Sequence, residues 1–188
     1  MSHRAAGRLT GALFLAAFVF YGGGSALADR PVGIGLMLLN SVAVAAIGGL
    51  AFRALREPAP RTARLYLAVR AAEAVLLALG VALLGSGAAA ANDIAYATAM
   101  FVLGAGSVPF CLALGRHRWV PGWFAWWGAA GYALLGLGAV VEFALPGAGI
   151  ALAAPGGLFE VAFGLFLLGR GFPAPAVHRA PGPLTSSA

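Results

Sequence analysis

The sequence predicts an all-α integral membrane bundle of six transmembrane helices with both termini on the cytoplasmic side. Three observations predict it. Of the 188 residues, 61% are hydrophobic and only 10% are charged, with a mean hydropathy of +0.91; a soluble domain is nearer about half apolar and about a quarter charged. The apolar residues gather into six stretches, each long enough for the roughly 20 residues that cross a bilayer core. Ten of the twelve arginines fall on one side of those stretches. This balance excludes an ordinary soluble domain, a disordered chain and a nucleic-acid-binding module. The bilayer is the first partner implied.

The stretches run over residues 9–28, 32–55, 62–85, 94–115, 122–145 and 155–171. Backbone amides in lipid must be satisfied within the segment, so each is read as a helix. Pro109 lies inside the fourth and removes one amide donor, which bends a helix and can open a cavity beside it. Residues 146–154 (PGAGIALAA) read as an outer connection apolar enough to lie on or dip into the membrane. Residues 1–172 thus form one transmembrane domain, and 173–188, rich in Pro, Ser and Ala, a disordered cytoplasmic tail.

Orientation follows from the arginines. Arg4, Arg8, Arg53, Arg56, Arg61, Arg64, Arg116, Arg118, Arg170 and Arg179 share one side, whereas the other holds only Arg30, beside Asp29, with Asp93 further on. Basic loops stay in the cytoplasm, so that side is inside. All twelve basic residues are Arg and Lys is absent. We read this as the codon bias of a GC-rich bacterial genome, which places the chain in a bacterial inner membrane. Arg4, Arg8, an apolar stretch and Ala26-Leu27-Ala28 also resemble a cleavable signal peptide. The six-span reading accounts for the loop charges with the first helix retained. Trp119, Trp123, Trp126 and Trp127 cluster where helix five leaves the cytoplasmic interface, as anchoring indoles do.

Ionisable groups within spans are costly and mark candidate sites. They are Arg70 and Glu73 on helix three, Glu142 on helix five and Glu160 on helix six, with Asn40 on helix two as a further polar group. At about 1.5 Å per residue, Glu142 lies roughly 5 Å below the outer end, Glu160 roughly 8 Å, Asn40 roughly 13 Å and Glu73 roughly 18 Å. The series descends towards the midplane and would line a cavity open to the outside if the groups share one interior. Arg70 and Glu73 are three apart and share a helix face. Glu142 and Glu160 have no basic partner nearby in sequence. Such carboxyls can carry a proton, bind a cation or amine, or act as general acid and base. The plainer reading is an ion pair that fastens helices together. Tyr66, Tyr96 and Tyr132 could join the polar network, although interface or packing roles fit them better.

Other chemistry is not supported. The histidines, His3, His117 and His178, all lie in polar segments, and Cys111 stands alone, so neither a metal site nor a disulfide is expected and no cofactor is implied. Gly85-Ser86-Gly87 has no membrane histidine to activate the serine. Gly22-Gly23-Gly24 is followed by no lysine and is no phosphate loop. Gly7 and Gly11 have dimer-motif spacing at the membrane edge, where it carries little weight.

Several short segments, in order, resemble a bacterial family of small multi-pass proteins, domain of unknown function 4386. They are Leu13-Phe14, Tyr21-Gly22, Leu39-Asn40-Ser41, Arg70-Ala71-Ala72-Glu73, Val120-Pro121-Gly122-Trp123, Gly131-Tyr132, Glu142 and Leu158-Phe159-Glu160. The resemblance spans residues 9–172. It implies a six-helix membrane protein and includes the polar positions above, but no activity. Residues 70–77 also faintly echo residues 158–163, as two inverted three-helix units would.

Three functions remain open. One is a small transporter or ligand-binding protein for a small molecule, cation or proton, using Asn40, Arg70, Glu73, Glu142 and Glu160. Another is a membrane enzyme acting on a lipid or isoprenoid with two carboxylates. The third is a structural or regulatory subunit. The orientation is directly testable. A Ser86→Cys variant should react with an impermeant maleimide in intact spheroplasts and an Arg61→Cys variant only after permeabilisation; the opposite pattern would invert the topology.

Overall fold

The computed structural model describes residues 1–145 and 147–173. Most of the expected tail (173–188), with His178 and Arg179, lies outside the described residues. The chain forms α1 (His3–Ala26), α2 (Pro31–Leu55), α3 (Pro60–Gly85), α4 (Ala89–Arg116), α5 (Gly122–Ala144) and α6 (Gly149–Arg170). All six are long and apolar enough to cross a membrane.

Short turns force consecutive helices to run antiparallel. Each helix packs on its neighbours in sequence, and α1 packs on α6. Among the described residues no other helix pair comes into backbone contact, so the six form a closed ring. The closure of α1 on α6 depends on glycine. A Cβ at Gly7 would collide with the backbone of Gly171 and Phe172, and one at Gly11 with the carbonyl of Gly164. The Gly7/Gly11 pair therefore closes the chain on itself instead of supplying a dimer face.

Three helices begin five or six residues earlier than the hydropathy predicts, and α1 is one of them, starting at His3 rather than near residue 9. α4 starts at Ala89 rather than near residue 94. α6 starts at Gly149, with Pro155 inside it, so residues 149–154 are helix and not a surface connection. The reason lies on α5. The Glu142 carboxylate accepts the N–H groups of Gly147 (2.6 Å) and Gly149 (2.8 Å), satisfying donors that a helix start leaves free. The earlier start changes the depth of Glu160. It stands eleven residues into α6, about 16 Å from the start of the helix instead of about 8 Å.

The inside of the ring is divided between its two ends. The arginine-rich half is filled by aromatic rings: Tyr66 stacks on Phe110 (3.9 Å between centroids), Phe159 on Phe163 (5.6 Å), and Phe124 leans on Phe159 (5.1 Å). Trp119 packs against Phe172 beneath them, while Trp123 and Trp126 face outward, as interface anchors would. The other half holds a cavity of about 400 Å³.

Substituting the seam glycines should cost packing energy at once. A Gly11→Leu change should destabilise the detergent-solubilised protein by about 1–3 kcal/mol, the usual penalty for overpacking, visible as a lowered Tm. Gly35→Leu, at a position with open space around it, should leave Tm nearly unchanged.

Candidate functional site

The site is built on one face of α3. Tyr66, Arg70 and Glu73 follow at i, i+4 and i+7, a spacing that aligns side chains along a helix. All three point into the ring and are buried. Gly48 on α2 lies against the Arg70 stem, where a Cβ would stand 2.7 Å from the Arg70 Cβ.

Arg70 donates in three directions. Its Nε donates to the Tyr66 hydroxyl (2.8 Å) and its Nη1 to Glu73 Oε2 (2.9 Å). Its Nη2 donates to Glu160 Oε1 (3.0 Å) on α6 and to the Tyr132 hydroxyl (3.2 Å) on α5. Tyr132 in turn donates to Glu160 Oε1 (2.7 Å). The Phe14 and Tyr66 rings lie 5.1 and 5.3 Å from the guanidinium carbon, within cation–π range. Four of the five guanidinium N–H groups are thus engaged, and the network joins α3, α5 and α6 across the ring.

The groups expected to form one site are only partly assembled into one. Asn40, Arg70, Glu73 and Glu160 all line the cavity. Glu142 does not; it caps the start of α6 and is occupied there. Glu160, without a basic neighbour in sequence, is an Arg70 partner in space. Two of the tyrosines for which interface or packing roles fitted better are members as well. Tyr66 and Tyr132 belong to the polar network rather than to packing alone. The i,i+4 spacing from Tyr66 to Arg70 could have signalled the first, whereas Tyr132 reaches Arg70 only through ring closure. Tyr96 stacks on Tyr21 (5.0 Å) along the cavity wall.

The charges do not cancel. One guanidinium faces two carboxylates, so the cluster carries a net charge of −1 when both are ionised. Among the described residues Glu73 Oε1 and Glu160 Oε2 find no hydrogen-bond partner, and neither does the buried Asn40 Oδ1. The cavity floor therefore offers unfilled oxygen atoms above a guanidinium that is nearly saturated. Its walls are apolar and aromatic. Among the described residues no cluster of three or more His, Cys, Asp or Glu could hold a metal ion.

Residues 84–171 match the model of a family described as a domain of unknown function (DUF4386). The resemblance read from the sequence is shown over those residues. They include α4 to α6 with Tyr132, Glu142 and Glu160, while Asn40, Arg70 and Glu73 lie before them. No match was found among curated proteins or among solved structures.

Breaking the network from its centre should be costly. Replacing Arg70 by Met leaves two buried carboxylates without their cation, and removing one partner of a buried pair costs about 3–5 kcal/mol. Tyr132→Phe removes hydrogen bonds but no charge and should cost about 1 kcal/mol. Thermal unfolding in detergent, wild type against each variant, should show that order; a larger loss for Tyr132→Phe would contradict it.

Proposed function

We propose that this membrane protein binds, and in its working cycle moves, a small cationic solute carrying hydrogen-bond donors. The cavity opens to the outside of the cell in this reading. The observation that carries it is the cavity floor: one more carboxylate than guanidinium, with free oxygens on Glu73 and Glu160 beside the unpartnered Asn40 amide. A cation with N–H groups would neutralise the surplus charge and fill those acceptors. Arg70 would not contact the solute strongly. It sets the position of both carboxylates and prevents their repulsion from opening the ring. A proton is the smallest occupant of the same site, and the same carboxyls would bind it in the solute's absence.

The outward orientation rests on the arginines. The loops rich in Arg cap the aromatic half of the ring, and the cavity occupies the opposite half. Under the positive-inside rule the aromatic rings form the inner seal and the cavity the outer vestibule. A structural role for the same network has one observation in its favour, namely that Arg70 ties three helices together. It leaves the second carboxylate and the cavity without a purpose.

The test uses proteoliposomes and radiolabelled methylguanidinium, a permanent cation with N–H donors. Wild-type protein should bind or take up the label saturably. Glu73→Gln and Glu160→Gln should each reduce this at least tenfold, while Glu142→Gln should leave it unchanged. Equal retention by all variants and by empty liposomes would defeat the proposal.

A further inference from the structure

We infer that the cavity is entered sideways from the lipid, through a slit between α1 and α6, and that its occupant is an amphiphile: an alkyl chain bearing a cationic head with N–H donors. This rests on the cation-binding reading above and names the solute class and its route.

The mouth of the cavity is bordered by two helices only. Its exposed lining residues are Phe18 and Gly22 on α1 and Ile150 and Ala154 on α6. None of the lining residues from α2 to α5 is exposed. The α1–α6 seam is tight at the opposite end, where Gly7 and Gly11 lie against Gly171 and Gly164. Towards the cavity it parts. Between Phe14 and Gly24 no α1 residue is buried, and between Gly149 and Gly156 no α6 residue is.

The opening has depth as well as width. Gly22 and Ile150 stand near the outer helix ends, but Phe18 is eight residues before the end of α1, about 12 Å down. That depth lies well inside the hydrocarbon, so the slit faces lipid and not only water. One side chain crosses it. A Cβ at Gly157 would stand 3.7 Å from the Phe18 ring, which is itself 41% exposed. Phe18 thus lies across the seam, its ring beside Gly157 of α6.

Occupant chemistry follows from the two ends of this path. The floor holds a net negative charge and free oxygens about 16–18 Å from the outer ends, the depths of Glu160 and Glu73. The mouth is apolar and opens into lipid. A cationic head seated on Glu73, Glu160 and Asn40 leaves an alkyl tail pointing back through the slit, where it remains in hydrocarbon. A small hydrophilic cation gains nothing from such a mouth.

The experiment compares two probes with one head, radiolabelled dodecylguanidinium and methylguanidinium, on protein in nanodiscs. Phe18→Cys with Gly157→Cys, in a Cys111→Ala background, is bridged across the slit by a short bismethanethiosulfonate reagent that thiols cleave. Ala154→Trp, at an exposed position, plugs the slit independently of the bridge. The expected result is at least tenfold slower association of dodecylguanidinium after bridging, reversed by thiol and reproduced by Ala154→Trp, and at least tenfold tighter binding of the long probe to the unbridged protein. Unchanged association after bridging and in Ala154→Trp would overturn the lateral route. If Glu160→Gln still weakened both probes, the cation site would stand without it. Absence of saturable binding by either probe would overturn both readings.

Discussion

A guanidinium held inside the hydrocarbon span is the constraint on which the rest of this structure depends. Arg70 must find acceptors wherever the fold allows, because an unpaired charge in lipid is costly. Its own helix supplies two, Tyr66 and Glu73, at the spacing that aligns them with it. The remaining directions reach Tyr132 on α5 and Glu160 on α6. Among the described residues, backbone contacts in the ring run between adjacent helices only. The Arg70 network is therefore the polar tie that crosses the interior from α3 to α5 and α6, above the aromatic rings that meet in the other half. Lipid offers no hydrophobic drive for helices to associate, so such polar ties and the close approach of glycines carry much of the packing specificity.

The two halves of the ring follow from where bulk sits along each helix. Phe110 near the end of α4, Phe124 near the start of α5 and Phe163 late in α6 all fall in the arginine-rich half, and their rings meet there. In the other half α1 and α6 present Ala17, Gly22, Ala153, Ala154 and Gly157 to the interior. Small side chains cannot fill the centre of a six-membered ring, and a cavity results. Arg70 lies at the boundary, its guanidinium set against the Phe14 ring and its two carboxylate partners, Glu73 and Glu160, lining the cavity.

Hydropathy made the six helices legible, and helical spacing made the Arg70–Glu73 pair legible, because both signals are local. The convergence of Glu160 and Tyr132 on Arg70 was not, since it depends on how six helices close into a ring. Two errors have identifiable causes. Pro155 looked like a helix start because proline often occupies that place; here the Glu142 carboxylate caps a turn earlier, and the helix continues through the proline. Glu142 looked like a partner of Glu160 because both are acidic groups in apolar stretches. One is a cap and the other lies on the cavity floor, a difference set by about 11 Å of depth along the helices.

The excess of carboxylate is the feature that a purely structural account leaves unexplained. A tie between α3 and α6 needs a single anion on Arg70, and Glu73 already provides it within one helix. A glutamine at position 160 could accept from both Arg70 and Tyr132 through its amide oxygen, joining the same helices without placing a second charge in the membrane. The glutamate adds a desolvation cost and a repulsion with Glu73, for no additional helix contact. It also lines a cavity shared with Asn40, whose Oδ1 has no partner among the described residues. Costly groups collected around one void are what the proposed cation site would require. A scaffold would have been more stable without them.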